Sequence, residues 1–390
     1  MKYWRGFLTA AIIAFFSWLL IEFASTHTLL IDMVYPYVTR MLQTTLAEWS
    51  SSVVFCLWQL FAIVLVLGLL TSIVLMIVFR WNFLQWLGWV TAAASLVFFL
   101  HTAAFGLNAY SGSISDDIRL EMTEYTLSEL ENATTYFRDE ANKLAVQVDR
   151  TPDGDVRYPD FQALANQAGE GFTQLVYEEK YPVFAGSKVP VKELGWADMF
   201  TSMGVSGFTV ALTGEAAVNP QLPAVSIPFI MCREMAHRMC IANEGDANMA
   251  AFLACRANPS VEFRYAGYFM AYRFCYNALL SQGTADSDAA ARRITAGVSD
   301  PLYQDMAAYS SFFADHEEAD GDLATRLNDA YIQAGGNEQG IASYGTVCDL
   351  LVSWHIQEFV LPLQKEEEVK FDPYDENKVF PPETPTASEG

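Results

Sequence analysis

Three apolar runs near the N-terminus limit what this chain can fold into. Residues 53–79 form a stretch of 27 residues without a charged side chain, and residues 83–107 form a second uncharged stretch that is rich in tryptophan at its start. Each run is long enough to cross a bilayer as a helix. The first run, residues 6–21, is shorter, and its length suits either a signal-peptide core or a short span. Because two spans follow it, we favour an uncleaved first helix.

The basic residues around these runs predict the orientation of the chain. Lys2 and Arg5 precede the first run, and Arg80 lies in the short turn between the second and third. The connection between the first two runs, residues 25–52, contains a single basic residue, Arg40. Lys and Arg are enriched on the cytoplasmic side of membrane proteins. We therefore expect a multi-pass membrane protein with a cytoplasmic N-terminus, in which everything after the third run is extracytoplasmic.

The part of the chain after Tyr110 is strongly acidic. Its 280 residues carry 19 Lys and Arg against 43 Asp and Glu. This charge repels phosphate backbones, which excludes nucleic acid as a main partner. The chain divides into a three-span region at 1–110, an extracytoplasmic domain at 111–364, and an acidic, proline-rich tail at 365–390 that we expect to be disordered.

Hydrophobic periodicity predicts a mainly helical extracytoplasmic domain with a small sheet. An amphipathic helix is predicted at 115–148, and β-branched residues around a turn at Gly214 predict one or two strands within 204–218. Further helices are expected at 161–177, 225–243, 246–258, 261–281, 301–315, 321–334 and 341–360. The five cysteines of this domain fall within predicted helices, which favours buried thiols over a disulfide framework and leaves one disulfide open.

One predicted helix carries the residues of greatest chemical interest. In the segment IPFIMCREMAHRMC, Glu234 and His237 are three residues apart on one helical face, and Glu244 follows seven residues after His237. Zinc proteases use the pattern H-E-x-x-H, in which two histidines bind the metal, the Glu is the general base, and a downstream acid supplies a third ligand. Here Arg233 stands in place of the first histidine. The remaining E-x-x-H is a weak motif by itself.

Five segments, in the same order along the chain, are similar to successive blocks of one protein family, and the similarity covers almost the whole chain except the tail. They read GVSGFTVALTGEAAVN, IPFIMCREMAH, EGDANMAAFLAC, RYAGYFMAY and GIASYGTVCDLL. Together with three N-terminal spans, they resemble a bacterial membrane protein family catalogued as domain of unknown function 3810. The resemblance implies a membrane-anchored, zincin-like α+β fold of the gluzincin metallopeptidase type in the bacterial cell membrane. It aligns Glu234 with the general base, and His237 and Glu244 with zinc ligands. It also makes GFTVALTG an edge strand that can pair with an extended peptide.

The chain departs from the family pattern at two positions. Asp246 is shorter than the family's Glu, and Arg233 occupies the position of the first ligand. A guanidinium has no lone pair to donate. At ~5 Å from a dication, its charge would cost about 6–7 kcal/mol at an effective dielectric near 20. We expect this guanidinium to pair with Glu244 or Glu234 instead, which places a fixed positive charge where zinc would lie.

Other residues offer alternative ligands or roles. On one continuous helix, His237, Cys240 and Glu244 would share a face, and such a set suits zinc. The family has a glycine near Cys240, however, and a glycine would end the helix there. His316 and His355 could approach from other helices, although a core or surface role is favoured for both. For Tyr265 and Tyr268, core packing is favoured over stabilisation of an oxyanion. Glu215, after Gly214, is expected to cap or position the strand.

These observations give two hypotheses of different classes. The first is a membrane-anchored, extracytoplasmic protein of the zinc-metallopeptidase type with a degenerate R-E-x-x-H motif and reduced or absent catalysis. The second is a non-catalytic pseudopeptidase, which uses the same cleft to bind a peptide or protein or which regulates a membrane partner. The lipid bilayer is a partner in both. Zinc is the cofactor that the resemblance implies, and Arg233 argues against it.

Overall fold

The computed structural model describes residues 4–158, 160–320 and 344–363, and the described side chains are those of 4–158, 160–314 and 347–363. The predicted helix at 321–334 and the tail at 365–390 lie outside these residues. The helices are α1 (Arg5–Thr26), α2 (Thr28–Ser50), α3 (Leu57–Val78), α4 (Phe83–Ala104), α5 (Ile114–Asp117), α6 (Leu127–Ala145), α7 (Phe161–Tyr177), α8 (Ala197–Ser202), α9 (Ile227–Arg238), α10 (Glu244–Ala257), α11 (Val261–Ser281), α12 (Ala285–Thr295), α13 (Asp300–Asp320) and α14 (Tyr344–His355). The strands are β1 (Lys192–Glu193), β2 (Gly207–Val210) and β3 (Glu215–Val218).

Three of these helices are long and apolar enough to cross a membrane. They are α1, α3 and α4, in agreement with the three apolar runs. Helices α1 and α4 cross closely at Gly6 and Gly88, where a Cβ built on Gly6 would lie 2.4 Å from the carbonyl carbon of Gly88. Small residues at such a crossing let two membrane helices approach backbone to backbone.

Helix α2 was not among the predicted elements. The connection at 25–52 between the first two runs is not an open loop, because almost all of it is helical. The inner side of α2 buries Ile31, Thr39 and Ala47 against the rest of the protein. Helix α2 also contacts the domain that follows the third span, since the side-chain amide of Gln43 donates to the Ala211 carbonyl at 2.9 Å.

The main core lies among α6, α9, α10, α11 and α14. An aromatic cluster joins four of these helices: Phe137 of α6, Phe252 of α10, Tyr268 of α11 and Trp354 of α14. The single helix predicted at 115–148 is wrong, because α5 ends at Asp117 and α6 begins after Thr126. A capping box between Thr126 and Glu129 satisfies the first amides of α6 and starts the helix there.

The predicted strands at 204–218 are confirmed, with a turn at Gly214. Strands β2 and β3 pair antiparallel, and the two-residue β1 pairs with β3 in parallel, so that β2 is an edge of the sheet. Gly214 has a φ of +65°, and a Cβ there would lie 2.5 Å from the Ala47 amide nitrogen of α2. Glycine is therefore required both by the backbone conformation and by the close approach of α2.

The buried carboxylate of Glu215 joins the sheet to a membrane helix. It accepts hydrogen bonds from the backbone amides of Leu57 and Trp58, the first two residues of α3, at 2.7 and 2.9 Å. It also accepts a hydrogen bond from the buried ammonium of Lys192 at 2.7 Å. Glu215 therefore caps α3 from a distant part of the chain, and its charge matches the positive end of the helix.

We expect Glu215→Ala to destabilise the protein by about 3–5 kcal/mol, because it leaves the Lys192 charge buried without its partner. Thermal unfolding of the full-length protein in detergent measures this loss. The matched control is Glu193→Gln, which removes an exposed carboxylate beside Lys192 and should leave the melting temperature almost unchanged. A Lys192→Met/Glu215→Ala double variant should lose less than the sum of the two single losses. Strict additivity would contradict the proposed coupling.

Candidate functional site

The first half of the candidate site is an ion pair between adjacent residues of α9. Glu234 is almost fully buried, and its Oε1 lies 2.6 Å from Nη2 and 3.1 Å from Nε of Arg233. The same Nη2 donates to the Ser206 hydroxyl at 3.0 Å, just before β2. Oε2 of Glu234 accepts from the Thr209 hydroxyl at 3.2 Å. Both carboxylate oxygens of Glu234 are therefore engaged, and the guanidinium is fixed from two sides.

Strand β2 lies directly over Glu234. A Cβ on Gly207 would come within 3.1 Å of the Glu234 Cγ and 2.8 Å of the Ala217 carbonyl oxygen. Glycine at 207 thus permits the close approach between the edge strand and the buried carboxylate. The single hydrogen of the Thr209 hydroxyl is shared between Oε2 and the Glu234 backbone carbonyl, which is the nearer acceptor at 2.8 Å, and this contact ties β2 to α9.

The second half of the site joins the end of α9 to the start of α10. His237 lies in the last turn of α9, and its Nε2 is 3.2 Å from Oε1 of Glu244, the first residue of α10. The other ring nitrogen, Nδ1, lies 2.9 Å from the Ile241 carbonyl oxygen. Because a carbonyl can only accept, Nδ1 carries the hydrogen of this bond. The side chain of Asn243 caps α10 and so fixes the position of Glu244.

The pKa values of this pair favour the charged forms. Burial lowers the pKa of His237, but the carboxylates of Glu244 and Glu234 have the larger combined effect, so the net pKa is raised. Burial likewise raises the pKa of Glu244, but His237 and Arg233 lower it to about 2. A protonated His237 donates from both ring nitrogens, one to Ile241 and one to Glu244.

The chain turns sharply between these two helices. Helix α9 ends at Arg238, and Cys240 has a φ of +70°, a conformation typical of glycine. The continuous helix that would place His237, Cys240 and Glu244 on one face is therefore absent, as the family's glycine indicated. The Cys240 thiol instead contacts Thr39 and Asn108, and burial raises its pKa to about 11.

The other residues that the sequence suggested lie in separate contacts. Tyr265 donates to Asp305 in the core, and Tyr268 contacts the hydroxyl of Tyr136 at 3.4 Å. His355 is buried among aromatic rings, which fits the expected core role. The His316 side chain lies outside the described residues. Of the predicted site residues, the structure brings together Arg233 with Glu234, and His237 with Glu244.

Asp246 has a role that sequence reasoning missed. Its carboxylate accepts from the Ser113 hydroxyl at 2.9 Å and from the Ile114 amide at 3.2 Å. It therefore fastens the start of α5, just after the membrane helices, to the first turn of α10. Burial raises its pKa to about 6. The only sequence signal was its departure from the family's Glu, which gave no indication of the partner.

The residues present do not make a complete zinc site of the usual kind. Two ligands that share a tetrahedral zinc at about 2.1 Å lie roughly 3.4 Å apart, so the 3.2 Å between His237 and Glu244 fits two ligand positions. A third is missing, because Arg233 cannot donate an electron pair. Among the described side chains, no group of three His, Cys, Asp or Glu is arranged to hold a metal ion.

Comparison with known proteins assigns the chain to a family. A family model described as "Protein of unknown function (DUF3810)" matches residues 31–352, and the chain belongs to this family. The match covers the whole candidate site together with most of α2 and all of α3 and α4. No curated protein and no solved structure matches the chain.

The His237–Glu244 pair predicts a specific pH dependence of stability. The raised pKa of His237 gives a contribution that is complete below its unfolded value of 6.5 and is lost as pH rises through the folded value. The lowered pKa of Glu244 gives a contribution that is present above 4.5 and is lost as pH falls through about 2. Above pH 6.5, wild-type protein should therefore lose more thermal stability than Glu244→Gln. Melting curves from pH 6 to pH 9 measure this difference.

The control for this prediction is Glu178→Gln, which removes an exposed carboxylate at the end of α7. This variant should keep the wild-type pH profile. If Glu244→Gln and wild type lost stability equally between pH 6 and pH 9, the imidazolium–carboxylate pair would not exist in solution.

Proposed function

We propose that the protein is a membrane-anchored pseudopeptidase, whose extracytoplasmic domain has a metallopeptidase-like scaffold and binds an extended peptide segment without hydrolysing it. The observation that carries this proposal is the contact between Arg233 and Glu234, 2.6 Å from Nη2 to Oε1. In a working metallopeptidase this carboxylate would activate water. In this protein the Glu234 carboxylate is instead paired with the guanidinium of Arg233.

The energetics of burial support a stable ion pair rather than an occasional contact. An ionised carboxylate as buried as Glu234 requires a charge partner or several hydrogen bonds. Arg233 and Thr209 supply both. To regain a catalytic base, the guanidinium would have to leave, and one buried charge without its partner costs about 3–5 kcal/mol.

Peptide binding is proposed from the free edge of β2. The Asn219 amide donates to the Ser206 carbonyl, so the pair Ser206–Asn219 is of the hydrogen-bonded type. Since the two types alternate along an antiparallel pair, the backbone groups of Gly207 and Thr209 point away from β3. Among the described residues no strand pairs with that edge. An extended peptide could therefore add to the sheet beside Glu234.

A second candidate function, zinc-dependent peptide hydrolysis, is favoured by His237 and Glu244. The Nδ1 hydrogen bond to the Ile241 carbonyl is the kind of contact that orients a metal-binding histidine. This candidate requires a third ligand from a substrate, a solvent molecule or residues beyond those described, and the guanidinium charge would still oppose the metal. For both candidates we propose an extracytoplasmic domain, on the basis of Lys2, Arg5 and Arg80.

Metal content separates the two candidates. Full-length protein purified in detergent should contain far less than stoichiometric zinc by elemental mass spectrometry. Arg233→His should take up stoichiometric zinc, because it supplies the missing ligand and removes the repelling charge. Arg233→Gln is the matched control, since it removes the charge without adding a ligand and should stay nearly metal-free.

Stoichiometric zinc in the wild-type protein would overturn the pseudopeptidase proposal. Hydrolysis of a mixed peptide library would then be measured, with Glu234→Gln as the inactive control. Zinc in Arg233→Gln but not in wild type would show that charge repulsion, rather than the missing ligand, decides metal binding.

Peptide addition to β2 is tested by Thr209→Pro. Proline removes the outward backbone N–H at the edge and should weaken binding by about 1 kcal/mol per lost hydrogen bond, roughly fivefold. Thr209→Ala keeps the backbone N–H and loses only the hydroxyl that contacts Glu234. Enrichment of a displayed random-peptide library on the three proteins is the measurement. Equal loss in both variants would assign the effect to the Glu234 contact instead of strand addition.

A further inference from the structure

The outer face of α2 is apolar and exposed. Six side chains form an outer stripe with exposed fractions between 49% and 70%: Leu30, Met33, Val34, Tyr37, Val38 and Met41. Four of them, Leu30, Val34, Tyr37 and Met41, recur at the spacing of one face of an α-helix. Leaving such a face in water forgoes the free energy of burying apolar surface, about 25 cal/mol per Å².

Several polar residues of α2 bind the rest of the protein, and Thr39, Gln43 and Ser50 are buried, whereas Asp32, Thr45 and Glu48 are exposed. The Arg40 Nε donates to the Met239 carbonyl at 3.1 Å, and the Thr39 hydroxyl lies 3.3 Å from the side-chain oxygen of Asn108. The Asp32 carboxylate accepts from the Gly112 amide at 2.8 Å. Helix α2 thus combines an exposed apolar stripe with buried polar side chains, which is not expected of a helix that lies between a protein core and water.

The neighbours of α2 in the chain are membrane helices. Only His27 separates α1 from α2, and six residues, 51–56, separate α2 from α3. The Tyr35 hydroxyl also contacts the carbonyls of Thr102 and Ala103, each at 3.0 Å, at the C-terminal end of α4. The end of α1, the start of α3 and the end of α4 therefore all meet α2, and these three ends lie on the same side of the membrane.

We infer that α2 is an interfacial helix, which lies along the membrane surface with its outer stripe in the acyl-chain boundary of the lipid bilayer. Its 23 residues extend for roughly 35 Å across the same-side ends of the three spans. An apolar face toward the lipid, with the polar contacts on the other side of the helix, is the arrangement of a helix in the membrane interface. This inference does not depend on the proposed function or on which side of the membrane the domain occupies.

Site-directed spin labelling of the full-length protein tests the position of α2. Val34→Cys and Met41→Cys place a nitroxide on the outer stripe, and Val146→Cys, at an exposed position after α6, is the matched control. All six native cysteines are buried, and the unsubstituted protein serves as the labelling blank. Each variant is reconstituted in nanodiscs of phosphatidylcholine and phosphatidylglycerol. Collision of the nitroxide with oxygen and with a water-soluble nickel chelate is then measured.

The expected result is an oxygen-to-nickel collision ratio severalfold higher at 34 and 41 than at 146, because oxygen concentrates in lipid and the chelate stays in water. Equal ratios at all three positions would place the stripe in water and overturn the inference. Protection from both reagents, together with dipolar broadening between labels, would identify a second copy of the chain as the occupant and would also overturn it. If either variant fails to keep the wild-type melting temperature, Met33→Cys and Tyr37→Cys replace it on the same stripe.

Discussion

The buried carboxylate of Glu215 holds the membrane helix α3 in position relative to the sheet that carries part of the candidate site. It binds the first amides of α3 and the ammonium of Lys192, and it belongs to β3, the central strand of the sheet. Strand β2 pairs with β3 and lies over Glu234. The ion pair between Glu215 and Lys192 therefore connects α3 to the candidate site through only two strands, β3 and β2. A buried ion pair of this kind adds little net stability compared with apolar packing, but losing one partner is costly. Its effect is therefore to fix the position of α3 against the sheet.

When His237 is protonated, the four charges at the candidate site sum to zero. Glu234 and Glu244 contribute two negative charges, which the Arg233 guanidinium and a protonated His237 balance. Two carboxylates, a neutral imidazole and a dication would carry the same total charge. An arginine and one proton can therefore replace the charge of a metal ion while the helices stay packed. An arginine and a proton would not supply the electron-pair acceptor with which a metal ion polarises water or a carbonyl, since a guanidinium only donates hydrogen bonds.

Much of the fold could be predicted from the local pattern of apolar and β-branched residues. The remainder depends on contacts between residues that are far apart in the sequence. Uncharged length predicted α1, α3 and α4, and β-branched residues around Gly214 predicted β2 and β3. Helix α2 was not predicted because Asp32, Arg40 and Glu48 interrupt its apolar residues, so that it forms no uncharged run; the helical spacing of its exposed apolar side chains is the signal that indicates it. The contacts of Glu215 with Leu57 and of Asp246 with Ile114 span 158 and 132 positions, and no periodicity indicates them. The pairing of Arg233 was predicted with two alternatives, and the structure contains the one with Glu234.

The boundary near residue 110 marks the end of the third span, but packing crosses it in several places. Lys192 is satisfied by the carbonyls of Ser50 and Phe55 as well as by Glu215, and all three of its hydrogen bonds are 3.0 Å or shorter. The Met239 carbonyl, at the end of the helix that carries Glu234 and His237, accepts from Arg40 of α2. A fragment that begins after the third span would leave these groups without partners, and each buried polar group left unsatisfied costs about 1–3 kcal/mol. The domain after the third span and α2 therefore form one folding unit, and the contacts of α2 help to set the geometry of the candidate site.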